Sequence, residues 1–278
     1  VLSAKDHTVS GETFAIMECG ECTLRFTQDV PAGGAMAPYY QSEQYISHSN
    51  TTKGLINRLY QRVRRKTLRR KRRMVQRVTG LPKGSLLDVG SGTGAFVHEM
   101  EKNEWQVMGL EPDAGARNTA KELYGVMLND ISDITRLRDS SADAITLWHV
   151  LEHIHDLQGC VQQLKRILKD NGRLFIAVPN YTSTDAAIYK EYWAAYDVPR
   201  HLYHFSPRSM QVLMEKNGLS IKQYKPMWYD SFYISMLSTK YKHGKIRMIS
   251  SFWNGLRSNL NALGNSKKCS SVIYVIGK

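Results

Sequence analysis

Four cysteines in 278 residues are too few to staple a chain of this size, so burial of apolar surface has to hold the fold together. No stretch approaches the roughly 18 consecutive apolar residues that a membrane-spanning helix requires, which excludes an integral helical membrane protein. The first residues lack the basic-then-apolar pattern of a secretory signal, so nothing in them marks the chain for export. No repeat or low-complexity tract interrupts the chain. With 42% hydrophobic and 23% charged residues, its composition is that of a globular protein, not of a collagen or a disordered tail. A soluble, cytoplasmic α/β protein is expected.

Acidic residues are missing where basic ones are densest. From Arg58 to Arg77 there are eleven Lys or Arg and no Asp or Glu. The formal charge is +13, so most of the imbalance lies in this one segment. Residues 55–79 contain neither Gly nor Pro, which predicts one long helix. Ile56, Leu59, Tyr60, Val63, Thr67, Met74 and Val78 fall roughly on one stripe of it, with basic residues on the rest. Such a helix lays its apolar stripe on a neighbouring domain, or offers its charge to nucleic acid or an anionic membrane surface.

Strand and helix signals alternate from Ser85 onward. Short apolar runs stand at 85–90, 106–111, 125–130, 142–148 and 173–179, with helical stretches at 95–104, 114–124 and 157–169. That alternation predicts a parallel sheet covered by helices on both faces. Ser206-Pro207 reads as the capped start of a further helix, 219–224 and 270–276 as strands. Three regions follow: a small β module and linker at 1–50, the basic helix at 51–80 and an α/β domain at 81–278. Within the last, 181–205 and 231–263 read as insertions on the acceptor side. In 231–263, Phe232, Met236, Ile246, Ile249, Phe252 and Leu256 are candidate core contacts.

The strongest local signal is Asp88-Val-Gly90-Ser91-Gly92-Thr93-Gly94, between a predicted strand and a predicted helix. Glycines let backbone turn tightly against a ligand, and the helix start behind them offers free N–H groups. Glu111 ends the next strand, where a carboxylate suits the two hydroxyls of a ribose. The same glycines also fit a dinucleotide fingerprint, so an NAD(P)-dependent oxidoreductase stands as an alternative. Three details favour S-adenosylmethionine. Asp88 can meet the ammonium end of a methionine moiety but would repel a pyrophosphate. Asp130, at the end of the third predicted strand, can accept the adenine amino group. The chain also closes on a strand.

Together with Leu110-Glu-Pro112-Asp113, Leu147-Trp148-His149-Val-Leu-Glu152-His153, Leu168-Lys-Asp-Asn-Gly172 and Val178-Pro-Asn180, the glycine loop resembles the successive motifs of class I S-adenosylmethionine-dependent methyltransferases, in their small-molecule, lipid and glycan branch. The resemblance covers about residues 81–278. It implies a Rossmann-like, seven-stranded sheet with cofactor at the carboxyl ends of the first strands. It also implies contacts to S-adenosylmethionine, or its product S-adenosylhomocysteine, from Asp88, Gly90, Ser91, Gly92, Thr93, Gly94, Glu111, Pro112, Asp130, Trp148 and His149.

Methyl transfer to a hydroxyl needs a group to take the proton, and His suits that near neutral pH. His153 and His201 are the candidate bases, chosen from a set that includes His149, His155 and His204; transfer without a base stays open. No Asn/Asp-Pro-Pro-aromatic run follows the fourth strand, and Cys160 has no preceding proline, so methylation of nucleic-acid bases loses ground. A hydroxyl or carboxyl on a small molecule, lipid precursor or sugar is expected instead. The alternative is a binding module holding nucleic acid or an anionic membrane through the basic helix.

Cys19-Gly-Glu-Cys22 has the spacing of one half of a tetrahedral zinc site. The segment resembles the latter half of a zinc ribbon found before some bacterial methyltransferases. Zinc is therefore expected only in a longer natural chain with another Cys-x-x-Cys upstream.

Overall fold

The computed structural model describes residues 1–40 and 55–278, and for 55–61 the helical backbone alone. The expected linker at 41–54 and the side chains of Ile56, Leu59 and Tyr60 lie outside the described residues. The chain forms two compact units. One comprises 49–148, 158–175 and 276–278, and the other 1–48, 149–157 and 176–275.

Three N-terminal strands, β1 (Leu2–Lys5), β2 (Thr13–Glu18) and β3 (Arg25–Thr27), belong to the second unit. The first unit is built around three parallel strands, β4 (Ser85–Val89), β5 (Gln106–Leu110) and β6 (Ala142–Trp148). Their apolar runs are buried on both faces: Leu86, Leu87, Val89, Leu110, Ile145 and Leu147 have almost no exposure. In register, Asp88 stands beside Gly109 on one side and Thr146 on the other. The chain passes from β4 to β5 on one flank and to β6 on the other. The carboxyl end of β4 is therefore a topological switch point, where open α/β sheets bind ligands.

Local chemistry sets the helices. The basic helix α1 (Leu55–Thr79) ends at Gly80, whose φ is 73°. Its partly buried stripe centres on Val75, one step from the predicted Met74, while Arg62, Arg65, Lys66, Arg69, Arg70, Arg73 and Arg77 lie toward solvent. Arg72 donates to Glu99 at 2.9 Å from the underside. Helix α2 (Ala95–Glu101) follows the glycine loop and is shorter than expected. Helix α3 (Ala114–Tyr124) is capped by Asp113, which accepts the Ala116 N–H at 2.6 Å. Helix α4 (Leu157–Ile167) gives way to β7 (Leu168–Pro179) earlier than its sequence predicts.

Among the described residues the main sheet has six strands, not seven. Its order is β5-β4-β6-β7-β10-β9, with β9 at Ser220–Pro226 and β10 at Ser271–Gly277. The missing one is the expected strand at 125–130, which makes a single parallel bridge, Leu110 to Asn129. Gly125 ends α3 in a left-handed conformation, and Asp130 already caps the 3-10 turn at 131–136. Between those two caps it is Asn129 that meets β5, its N–H donating to the Gly109 carbonyl and its carbonyl accepting the Glu111 N–H, both at 2.9 Å.

In the second unit, β1, β2 and β3 form an antiparallel sheet completed by β8 (Tyr203–His204). Arg25 pairs with His204 and Phe26 with Tyr203. The N-terminal strands thus share a sheet with a strand of the expected 181–205 insertion. Ala4, Ile16, Tyr189, Trp193, Tyr196 and Ile234 share one core, so 1–40 folds with the two predicted insertions. Helix α5 (Thr184–Tyr189) begins the first insertion, and α6 (Pro207–Lys216) is capped by Ser206 as expected. Region 231–263 is a helical pair, α7 (Asp230–His243) and α8 (Met248–Ala262). The expectation that Ile246, Ile249 and Phe252 are core contacts is wrong; all three are exposed. No helix among the described residues is long and apolar enough to cross a membrane.

Candidate active site

The glycine loop leaves β4 with Gly90, Gly92 and Gly94 at φ of 71°, 53° and 74°, a region in which side chains with a Cβ are strained. A Cβ on Gly94 would lie 2.8 Å from that of Ala120, whereas one on Gly92 would meet nothing within 4 Å. Gly94 is therefore glycine for packing, and Gly92 keeps an open face on which a ligand can lie against backbone.

Glu111 ties this loop to the end of β5. Its Oε2 accepts the Gly92 N–H at 2.7 Å and its Oε1 the Asp113 N–H at 3.1 Å. Burial raises its pKa against the pull of these donors. Each oxygen keeps a second lone pair, which is what a pair of ribose hydroxyls requires.

Asp88 is 2% exposed, and its Oδ1 accepts from the Thr146 hydroxyl at 2.6 Å. Desolvation pushes its pKa up to about 6, with Thr146 and Lys71 pulling the other way. Ser91 Oγ donates to the Asp88 carbonyl at 2.9 Å and so belongs to the loop's own scaffold. Arg64 reaches Thr93 Oγ1 at 3.4 Å. Asp130 is engaged by its neighbours, with Oδ1 accepting from Ser132 N–H and Oγ, and Oδ2 pairing with Arg117 at 3.0 Å. Trp148 packs edge-on against Phe96, with Lys71 Nζ 4.2 Å from its ring centre.

The histidines lie in the second unit and divide by environment. His149 has a φ of 59°, and its ring bridges two acids, with Nε2 3.1 Å from Asp230 and Nδ1 3.4 Å from Glu152. Desolvation opposes its charge, but the two carboxylates outweigh it and raise the pKa to about 10. His149 is therefore an imidazolium near neutral pH and cannot accept a proton.

His153 and His201 are brought together, their rings edge to face at 4.6 Å. His153 Nδ1 is 3.0 Å from the Arg200 carbonyl, and His201 Nδ1 is 2.8 Å from that of Ala195. A carbonyl only accepts, so each Nδ1 donates, and in a neutral ring Nε2 is then the acceptor; His201 Nε2 lies 3.9 Å from Asp197 Oδ2. Burial first, and then the neighbouring His201, lower the His153 pKa to about 4. Tyr40 adds its hydroxyl 3.2 Å from His153 Nδ1. His204 is committed to structure: its Nε2 meets Thr27 Oγ1 at 3.0 Å, while that hydroxyl donates to the His201 carbonyl at 2.7 Å. Arg200, almost without exposure, pairs with Asp197 at 2.7 Å and Asp6 at 2.9 Å, tying the N-terminal segment to the loop that carries His201.

Glu152 is 1% exposed, and among the described residues neither carboxylate oxygen has a donor in hydrogen-bonding geometry. Burial acts to raise its pKa, but His149 and the nearby imidazoles leave it lowered, so it is ionised. Ligand atoms of Glu152, His153 and His201 all lie within 4.8 Å of one another. Among the described residues this is the only such trio, so Cys19 and Cys22 have no third ligand beside them. The two cysteines are free thiols on the turn between β2 and β3.

Sequence reading missed Thr146, Lys71 and Asp230. A threonine inside the apolar run Ala-Ile-Thr-Leu-Trp and the last acid of the chain were the available signals.

Ubiquinone biosynthesis O-methyltransferase, mitochondrial, of Bos taurus is 27% identical over an alignment of 164 residues that covers 53% of this chain and 44% of that protein. Demethylmenaquinone methyltransferase of Tropheryma whipplei is 26% identical over 151 residues, 52% of this chain and 63% of that one. The chain thus aligns with under half of the cattle enzyme and under two thirds of the bacterial one. A putative sarcosine dimethylglycine methyltransferase from Galdieria sulphuraria superposes with a TM-score of 0.53 at 15% identity, covering 86% of this chain and 89% of its own, which shows a shared fold. A methyltransferase-domain family model matches residues 60–224, more than half of the chain, and to that family this chain belongs.

Proposed function

We propose that this chain moves a methyl group from S-adenosylmethionine to a hydroxyl oxygen on a small acceptor with an apolar body, of the hydroxylated aromatic class. The observation that carries the reading is Glu111 on the Gly92 N–H, a mostly buried carboxylate at the rim of a glycine loop whose face is open at Gly92. These residues fit the cofactor. Glu111 would hold the ribose hydroxyls, and the loop backbone would lie against the remainder. When bound, S-adenosylmethionine supplies a methyl group already activated on a sulfonium.

The protein then has to position the acceptor, exclude water and receive one proton. His153 and His201 support the last step, because both donate through Nδ1, which makes Nε2 the acceptor of a neutral ring, and His153 is neutral at pH 7. The imidazolium formed there would be balanced by the ionised Glu152 beside it. The hydroxyl class is supported by the name of the cattle relative, a ubiquinone biosynthesis O-methyltransferase.

A second reading is favoured by one observation, the two buried Glu152 oxygens that, beside the His149 ion pair, have no donor in hydrogen-bonding geometry among the described residues. In it Glu152, His153 and His201 would hold a divalent cation, which would supply Lewis-acid activation of an acceptor hydroxyl. Both imidazoles have Nδ1 on a carbonyl, which leaves Nε2 for the ion, as in metal-binding histidines.

One assay separates the readings: transfer of labelled methyl from S-adenosylmethionine to demethylated quinols and catechols, with and without chelator. Base catalysis predicts activity that survives chelation and falls about 100-fold in His153→Asn or His201→Asn. The cation reading predicts loss on chelation and recovery with added metal. No transfer to any hydroxyl, with S-adenosylhomocysteine still bound, would refute the acceptor class.

A further inference from the structure

Residues 231–278 contain eight Lys or Arg and no Asp or Glu. Within them, α8 is packed with its polarity reversed. The buried side of α7 carries Ile234 together with Ser231, Ser235, Ser238 and Thr239, whereas that of α8 carries Ser251, Gly255, Ser258 and Ala262. Small side chains let the two helices approach closely: a Cβ on Gly255 would come within 2.8 Å of the Phe232 ring. Several of these hydroxyls are satisfied internally, Thr239 with Ser251 at 2.8 Å, Ser231 with Asn259 at 3.0 Å and Ser258 with Asp185 at 2.6 Å.

The large apolar residues face the other way. Ile249 is 79% exposed, Leu263 63%, Met248 62% and Trp253 61%, and Phe252 and Leu260 are also exposed. Scattered exposed apolar residues are ordinary, but a helix that buries serine and exposes its large apolar face is not. Small residues between helices and large apolar ones outward is the arrangement of helices that meet lipid. Arg247, Met248, Ile249, Ser250, Trp253 and Asn254 line an open groove of about 690 Å³ on this face. Arg247 lines the groove, and Lys242 and Lys245, near the turn that leads into α8, are exposed with it.

We propose that the outer face of α8, with the turn that leads into it, docks on the headgroup layer of a bilayer containing anionic lipid. The cations complement lipid phosphates, the apolar side chains enter the acyl boundary, and an indole such as that of Trp253 suits the interface between them. A second copy of this chain fits the face less well. A two-fold contact sets each patch against its own image, so cationic edges would meet with no acid in the segment to receive them. This inference is independent of the methyl-transfer reading.

The test is co-sedimentation of the full chain with vesicles of phosphatidylcholine alone and of phosphatidylcholine mixed with phosphatidylglycerol. Binding to the anionic vesicles alone is expected, weakened by salt. Ile249→Asp and Trp253→Asp should each lower partition at least tenfold, and each of Lys242→Gln, Lys245→Gln and Arg247→Gln about fivefold. All five positions are exposed, and retained binding of S-adenosylhomocysteine checks that the variants fold. Brominated lipid should quench wild-type fluorescence more than that of Trp253→Phe. The proposal is overturned if neither vesicle type binds. It is equally overturned if binding ignores Ile249→Asp but disappears when Arg69–Arg73 are neutralised, or if light scattering finds a dimer that Ile249→Asp dissociates.

Discussion

Gly92 and Gly94 have the same kind of backbone conformation and opposite surroundings, so substituting each by alanine separates ligand contact from packing. Gly92→Ala places a methyl group in open space, and its cost to the fold is the left-handed conformation alone, about 1–2 kcal/mol. In Gly94→Ala the same strain is joined by a Cβ 2.8 Å from the Ala120 methyl. Overpacking of that kind adds about 1–3 kcal/mol, giving a total of about 2–5 kcal/mol. Thermal melts without ligand should therefore rank Gly94→Ala well below Gly92→Ala, which loses only a few degrees. Calorimetric titration with S-adenosylhomocysteine should show a different pattern. Gly92→Ala should bind at least tenfold more weakly, a loss of about 1.4 kcal/mol, because its methyl occupies the surface against which the ligand lies. Unchanged affinity in Gly92→Ala would refute the assignment of that open face to the cofactor. Equal destabilisation by the two substitutions would refute the packing argument.

Arg200→Met should cost about 3–5 kcal/mol in a denaturant melt, since it strands Asp6 and Asp197 in a buried site; a loss below about 1 kcal/mol would mean that the pairs do not support the fold. His149 has its folded pKa raised from 6.5 to about 10, so its contribution is complete below pH 6.5 and is lost as pH rises through 10. Asp230→Asn should flatten stability across that alkaline window, and an unaltered pH slope would sink the idea. For His153 the folded pKa is depressed from 6.5 to about 4, so its ring should stay neutral by NMR down to about pH 4. Folding stability should accordingly fall with its titration as pH drops from 6.5 towards 4, and protonation of the folded ring near pH 6.5 would contradict the burial argument.

Features set by neighbouring residues were legible in the sequence. The strand before Gly90, the cap at Ser206 and the end of α1 at Gly80 depend on backbone geometry within a few positions, and each stands where turn chemistry predicts. The segment at 125–130 has a strand's composition but is bounded by two caps, and whether an edge pairs depends on what it lies beside. The apolar residues of α8 have a helix's period, but period does not say which side faces water. Serine at 251 and 258 with glycine at 255 was the overlooked sign that the small side is the buried one. Assigning roles among the histidines required partners distant in sequence. His153 and His201 are sorted from His149 by the carbonyls of Arg200 and Ala195 on one hand and the carboxylate of Asp230 on the other, none of which a motif encodes.

The pairing of β3 with Tyr203–His204 bears on how this chain can be recombined. Thr27 supplies the hydroxyl that holds both the His201 carbonyl and the His204 ring, and Asp6 the carboxylate that anchors Arg200. The histidine pair is therefore not a portable part of residues 81–278. A chimera that transplants that stretch alone onto a foreign leader would carry the glycine loop intact but leave its histidines without their supports. Exchange between homologues should succeed only when residues 1–40 travel with the 181–205 segment, as one inherited block split across the gene.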